Sequence, residues 1–130
     1  MARLSRPRSR PAAGEQHRST CPISGALDLL GDRWSLLIIR DLLRGMTRYG
    51  EFAAAPEGIP TNILADRLAR LEALGLIRRE AYQQNPPRHA YTLTPKGADL
   101  KPVLAALGMW ARRHVPGVHP NKELIAILNS

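Results

Sequence analysis

The chain of 130 residues is long enough for one hydrophobic core and too short for two ordinary domains, so a single domain with tails is expected. Its apolar share of 44% is that of a soluble globular protein, and no apolar run approaches the ~18 residues that cross a bilayer, which excludes a transmembrane segment. Nineteen Lys and Arg against eleven Asp and Glu leave a net charge of +8, a balance that seeks a polyanion.

Residues 1–19 carry five arginines against one glutamate, which is half of the net charge, and the remainder is therefore basic in its own right. They show no apolar periodicity, and Pro7 and Pro11 break any helix, so a disordered basic arm is expected there. The arm lacks the apolar core of a secretory signal and large apolar anchors for a membrane surface. Order should begin near Thr20. The lone cysteine, Cys21, precludes an internal disulfide and a cysteine-rich zinc site, and it fits a reducing, cytosolic setting.

Pro22 suits the first turn of a helix whose apolar face is Ile23, Ala26, Leu27 and Leu30, with Gly31 as its stop. Asp32 can cap a second helix over residues 33–44 by accepting the free first-turn amides. Trp34, Leu37, Ile38 and Leu42, widened by Leu36, Ile39 and Leu43, leave that helix apolar on most of its circumference. It is therefore expected at the centre of the fold, with Trp34 in the core and Gly45 ending it.

A short helix from Tyr49 to about Ala55, the turn Pro56-Glu57-Gly58 and a longer helix from about Thr61 to Leu74 make a helix-turn-helix. Leu64, Leu68 and Leu71 repeat at i, i+4 and i+7 and should point inward, with Gly75 closing the helix. Leu76–Tyr82 and Arg88–Thr94 read as two strands joined by a five-residue polar tip, residues 83–87. Thr94-Pro95 then caps a last helix reaching His114, bent slightly at Pro102 and stopped by Pro116. Residues 121–128 can add one or two weak amphipathic turns. The fold class is mainly α with a small β-hairpin wing, a winged helix-turn-helix.

The stretches CPISGALDLLGDRWSLLIIRDLL (21–43), RYGEF (48–52), GIPTNILADRLARLEALGLIRRE (58–80), PPRHAYTLTPKG (86–97) and LAALGMWARRH (104–114) occur in that order. Together they resemble the HxlR family of transcription regulators. The resemblance implies a homodimer built from the first and last helices, a recognition helix in the major groove of double-stranded DNA, and a wing near phosphates or the minor groove. On it residues 20–115 are expected to be the DNA-binding and dimerisation domain of a cytoplasmic, nucleoid-associated regulator, with residues 116–130 a tail. The resemblance assigns no role to the arm or the tail.

On a helical wheel the face opposite Leu64, Leu68 and Leu71 presents Asn62, Ala65, Asp66 and Ala69, flanked by Thr61 and Arg70. Asn62 can bond adenine in bidentate fashion, Thr61 can reach a base edge or phosphate, and Ala65 and Ala69 let the helix sit deep against thymine methyls. Arg70 suits a phosphate. Asp66 either reads a cytosine amine or pairs with Arg70 at i+4. Arg67 lies at the edge of the inward face, where a salt bridge fixing the helix competes with a phosphate contact. On the wing Arg88 and His89, with Arg78, Arg79 and the amides of residues 83–85, suit a DNA backbone or minor groove. Ordinary solvated surface is the alternative for both faces.

Cys21 precedes a helix N-terminus, where free amides and the helix dipole favour an anion, and the resemblance suggests sensing of oxidants or electrophiles there. The alternative is a small buried cap residue. Catalytic motifs are missing from the sequence and its four histidines are scattered, so no enzyme activity, cofactor or metal site is expected. The alternative function is a winged-helix protein-interaction module, which should present a hydrophobic or acidic face where this chain has small and polar residues.

Overall fold

A computed structural model describes residues 17–119 and 121–130. The arm expected over residues 1–19 thus falls mostly outside the described residues. The chain divides into two units, the first ending at Gly31 and the second running from Asp32 to Ser130.

In the first unit helix α1 spans Pro22–Leu30, the range its proline start and glycine stop imply. The Gly31 amide bonds Leu27 O at 2.9 Å, and a Cβ on Gly31 would lie 2.5 Å from that oxygen, so only glycine closes the helix this tightly. The Arg18 guanidinium pairs with the Asp28 carboxylate. Ile23 and Leu27 on α1 are exposed.

The second unit begins with α2 (Ser35–Leu43), followed by α3 (Tyr49–Ala53) and α4 (Thr61–Ala73). Asp32 caps α2 as its position implies: Oδ2 accepts the Trp34 and Ser35 amides, each at 3.0 Å, and Oδ1 accepts the Ser35 hydroxyl at 2.6 Å. Ile38, Ile39 and Leu42 of α2 pack in the core with Phe52 of α3 and Leu64, Leu68 and Leu71 of α4. Trp34 is half-buried rather than in this core, because it sits one position before α2, where Arg33 lies 5.7 Å from its ring centroid. Gly75 ends α4 with φ +78°, a left-handed conformation that glycine adopts at no steric cost.

Strands β1 (Ile77–Gln84) and β2 (Pro87–Leu93) pair antiparallel from Ile77↔Leu93 to Gln84↔Pro87, with an irregularity between Ala81 and Gln83. The hairpin tip is therefore Asn85-Pro86, shorter than the five-residue loop expected. Gln83 and Gln84 continue the ladder, Gln83 Nε2 bonds Pro86 O at 3.0 Å, and Pro87 stands at the first residue of its strand, a position sheets allow to proline. Thr47 and Arg48 run beside β2, through a bridge of Arg48 to Ala90 and a bond from the Tyr91 amide to Thr47 O at 2.8 Å.

The single helix expected over 96–114 is two: α5 (Pro95–Ala98) and α6 (Lys101–His114). Pro102 has no N–H for the Ala98 carbonyl and suits a first helical turn, where that donor would be unpaired anyway, so it stands at the start of a new helix where a slight bend was expected. Thr94 caps α5, its Oγ1 accepting the Gly97 amide at 3.1 Å and donating to Gly75 O at 2.6 Å. Gly97 is where α5 presses on the residue before β1, since a Cβ there would come within 2.1 Å of Leu76 O. After the stop at Pro116, the amphipathic segment forms α7 (Lys122–Leu128), capped by Asn121 Oδ1 on the Leu124 amide at 3.0 Å. Among the described residues no helix is long and apolar enough to cross a membrane.

Candidate nucleic-acid interface

The helix-turn-helix is α3, residues 54–60 and α4, and polar clamps at both ends hold it. At the turn, Arg40 of α2 gives two parallel bonds of 2.8 Å to the Glu57 carboxylate and its Nε to Asp41 Oδ1 at 2.9 Å. The Glu57 partner raises the Arg40 pKa further above its ordinary value, and Arg40 in turn lowers that of Glu57. Tyr49 OH donates to Thr61 O at 2.9 Å and ties α3 to the first turn of α4. Arg67 Nε donates to Asp32 Oδ2 at 2.9 Å and ties the middle of α4 to the cap of α2. Burial pushes the Asp32 carboxyl up, but bonds from Ser35, Arg67 and the two amides outweigh it and hold the pKa at about 2.

Fixed in this way, α4 turns one side wholly inward. Leu64 and Leu71 are fully buried and Leu68 is 2% exposed. Thr61, Asn62, Ala65, Asp66 and Ala69 are all exposed on the other side, as the wheel predicts, and Arg70 is half-buried at its flank. Asp66 pairs with its neighbour Arg67, an interaction the i+4 reading with Arg70 did not include. For Arg67 the anchoring alternative is the observed one, because Asp32 and Asp66 both occupy its guanidinium.

The wing projects Arg88 one residue pair from the tip, exposed, with His89 half-buried beside it. Arg78 and Arg79 are exposed on β1, Arg79 lying 3.8 Å from Glu72. Arg48 stacks its guanidinium 3.8 Å from the Tyr82 ring centroid, and Phe52 meets Tyr91 edge to face at 6.2 Å, so the hairpin is braced against α3. Sequence reasoning did not single out Arg48, Tyr49 or Tyr82. For Arg48 and Tyr49 the signal is the RYGEF stretch, where an Arg-Tyr pair opens the first helix of the motif. Cys21 is exposed at the N-cap of α1 and makes no side-chain cap bond there.

The HxlR-like helix-turn-helix family model matches residues 29–118. An uncharacterized HTH-type transcriptional regulator of Synechocystis sp. is 42% identical over 87 residues, which cover 67% of this chain and 64% of the relative, so the chain spans less than two thirds of that relative's length. Among solved structures, the redox regulator HypR in its oxidized form is similar with a TM-score of 0.65 and 32% identity, covering 72% of this chain and 97% of that one. The reduced form of the transcriptional regulator YodB from B. subtilis is similar with a TM-score of 0.63 and 33% identity, covering 78% of this chain and 100% of that one. With a helix-turn-helix, a hairpin wing and a family match over most of its length, this chain belongs to the HxlR-like helix-turn-helix family of transcriptional regulators.

Proposed function

We propose that the chain binds double-stranded DNA sequence-specifically as a homodimer on an inverted repeat, and that this binding, with no catalytic centre, is how it regulates transcription. The observation that carries the reading is α4: one side locked into the core by three leucines, the other presenting only small and polar side chains beside a basic wing. In the proposed complex α4 enters the major groove, Asn62 reads a base, Thr61 meets a base edge or phosphate, and Ala65 and Ala69 permit close approach. Asp66 faces the groove while paired to Arg67, and Arg70, Arg88 and His89 lie toward the backbone. The exposed Val103, Leu107 and Trp110 of α6 and Ile23 and Leu27 of α1 are the apolar surfaces assigned to the second copy. Selection of bound sites from random DNA tests the whole reading. An inverted repeat with half-site centres about 34 to 36 Å apart, or a multiple of the helical turn, is expected; selection that returns no common sequence refutes it.

A second reading, redox control through Cys21, is favoured by the exposure of that thiol and by the likeness to a redox regulator. Diamide would take two electrons and two protons from two Cys21 thiols, one per subunit, leaving an intersubunit disulfide and the reduced hydrazine. Such a bond would displace α1, and a shift of about 1.4 kcal/mol between DNA-competent and incompetent dimers changes their ratio tenfold. A diamide-dependent dimer band on a non-reducing gel and weakened operator binding, both absent in Cys21→Ser, are the expected results. Oxidant-insensitive binding in the parent chain rejects this reading without touching the first.

A further inference from the structure

Between α6 and α7 lies a cavity of about 220 Å³ whose lining includes Gly108, Met109 and Arg112 of α6 and Leu124, Ile125 and Leu128 of α7. We propose that it binds a compact apolar molecule bearing one negative charge, with the body against the leucine and isoleucine side chains and the anionic head at Arg112.

Three observations converge on this site. First, α7 is fastened at its two ends while the space beneath its middle stays open. Arg44 pairs with Glu123 at 3.3 Å near its start, and Lys101 Nζ bonds the Ser130 hydroxyl and carbonyl at 3.1 and 3.3 Å just past its end. Second, Gly108 sits in the interior of α6, where glycine costs about 1 kcal/mol relative to alanine, yet a Cβ there would meet nothing within 4 Å. No close neighbour explains the glycine, and keeping the cavity wall flat does. Third, Arg112 lines the cavity and has no ion pair among the described residues, so an uncommitted cation borders a mainly apolar space.

Size sets the ligand class. An apolar cavity of about 150 Å³ accommodates benzene, so the present one suits a body of about ten carbon atoms. At 100° per residue Gly108, Met109 and Arg112 fall on the opposite side of α6 from Val103, Leu107 and Trp110. The pocket is thus separate from the apolar stripe assigned to a second copy. Helix α7 lies beyond residues 29–118 and α6 within them, so the site is built where this chain's C-terminal segment meets the matched family region. The inference does not depend on the DNA reading.

Calorimetric titration of the full chain with octanoate, phenylacetate and 2-naphthoate tests it, with 2-naphthol as the uncharged control. Saturable 1:1 binding of at least one carboxylate is expected. Gly108→Met and Ile125→Phe, which fill the space, should each lower that affinity at least tenfold with folding verified by circular dichroism. Arg112→Gln should lower carboxylate affinity about tenfold and leave 2-naphthol unchanged. Absence of saturable binding by all three acids at 1 mM overturns the proposal. So does binding that survives Ile125→Phe and Arg112→Gln unaltered, or a change of oligomeric state in Gly108→Met without any carboxylate binding, which would make the cavity a seat for another copy.

Discussion

Asp32 accepts two amides, a hydroxyl and a guanidinium, so one carboxylate joins the start of α2 to the middle of α4. Its folded pKa of about 2 lies below the ordinary carboxylate value, hence its contribution is complete above about pH 5 and disappears as pH falls toward 2. Asp32→Ala should cost about 2 kcal/mol at pH 7 by denaturant unfolding, and the difference from the parent chain should vanish near pH 2. Asp41 works in the opposite sense. Burial raises its pKa, only partly countered by Arg40, which Asp41 shares with Glu57. The folded state therefore gains relative stability as Asp41 takes up a proton, and Asp41→Asn, which keeps an acceptor for Arg40, should make the acid loss of stability steeper. For recognition, Asn62→Ala should cost about 1 to 3 kcal/mol against the preferred base at one operator position. Arg88→Ala should instead weaken all sequences and reduce the slope of log K against log salt by about 2, one phosphate per subunit. Equal losses on operator and random DNA for both variants would remove base reading from Asn62.

Helix α4 is held in place by what lies beneath it. Leu68→Ala should cost about 2 to 5 kcal/mol, and operator affinity measured well below the melting temperature should fall with it, since the seat that aims Asn62 is lost. This inward leucine stripe was fully legible in the sequence, as were α1, the capping by Asp32 and the amphipathic α7, because each rests on local chemistry: spacing, a cap residue, a proline or a glycine. The features that escaped depend on partners distant in sequence. Nothing local to Asp41 announces that a charge on α2 is buried, and Arg40 reaches 17 positions along the chain to Glu57. The wing reads as longer-looped than it is because Gln, Asn and Pro signal a turn even where backbone pairing carries on through them. The break between α5 and α6 was underestimated for a related reason. Pro102 lacks a donor and also suits a first helical turn, so it starts a helix as readily as it bends one. Arg48 over Tyr82 is likewise a contact made by the fold; Arg48→Ala should cost about 0.5 to 1 kcal/mol and loosen the hairpin, read as faster amide exchange in β1 and β2.

For the whole molecule, charge and apolar exposure point to two different partners. The net charge of +8 suits a polyanion, whereas Leu107 at 54% and Trp110 at 61% exposure are more apolar surface than a helix facing water retains. Trp110→Glu should convert a dimer at low micromolar concentration into a monomer by light scattering and abolish tight operator binding, while leaving the thermal midpoint of the isolated chain nearly unchanged. The central claim joins these partners: a dimer places two copies of α4 on two half-sites. The most direct test is a fluorescence-anisotropy titration of labelled full operator, single half-site and scrambled duplex, at one fixed salt concentration, with stoichiometry read at saturation. Two chains per full operator, with affinity at least 10³-fold above scrambled DNA and far above the half-site, is the predicted result. One chain per site, or equal affinity for operator and scrambled duplex, would contradict the account.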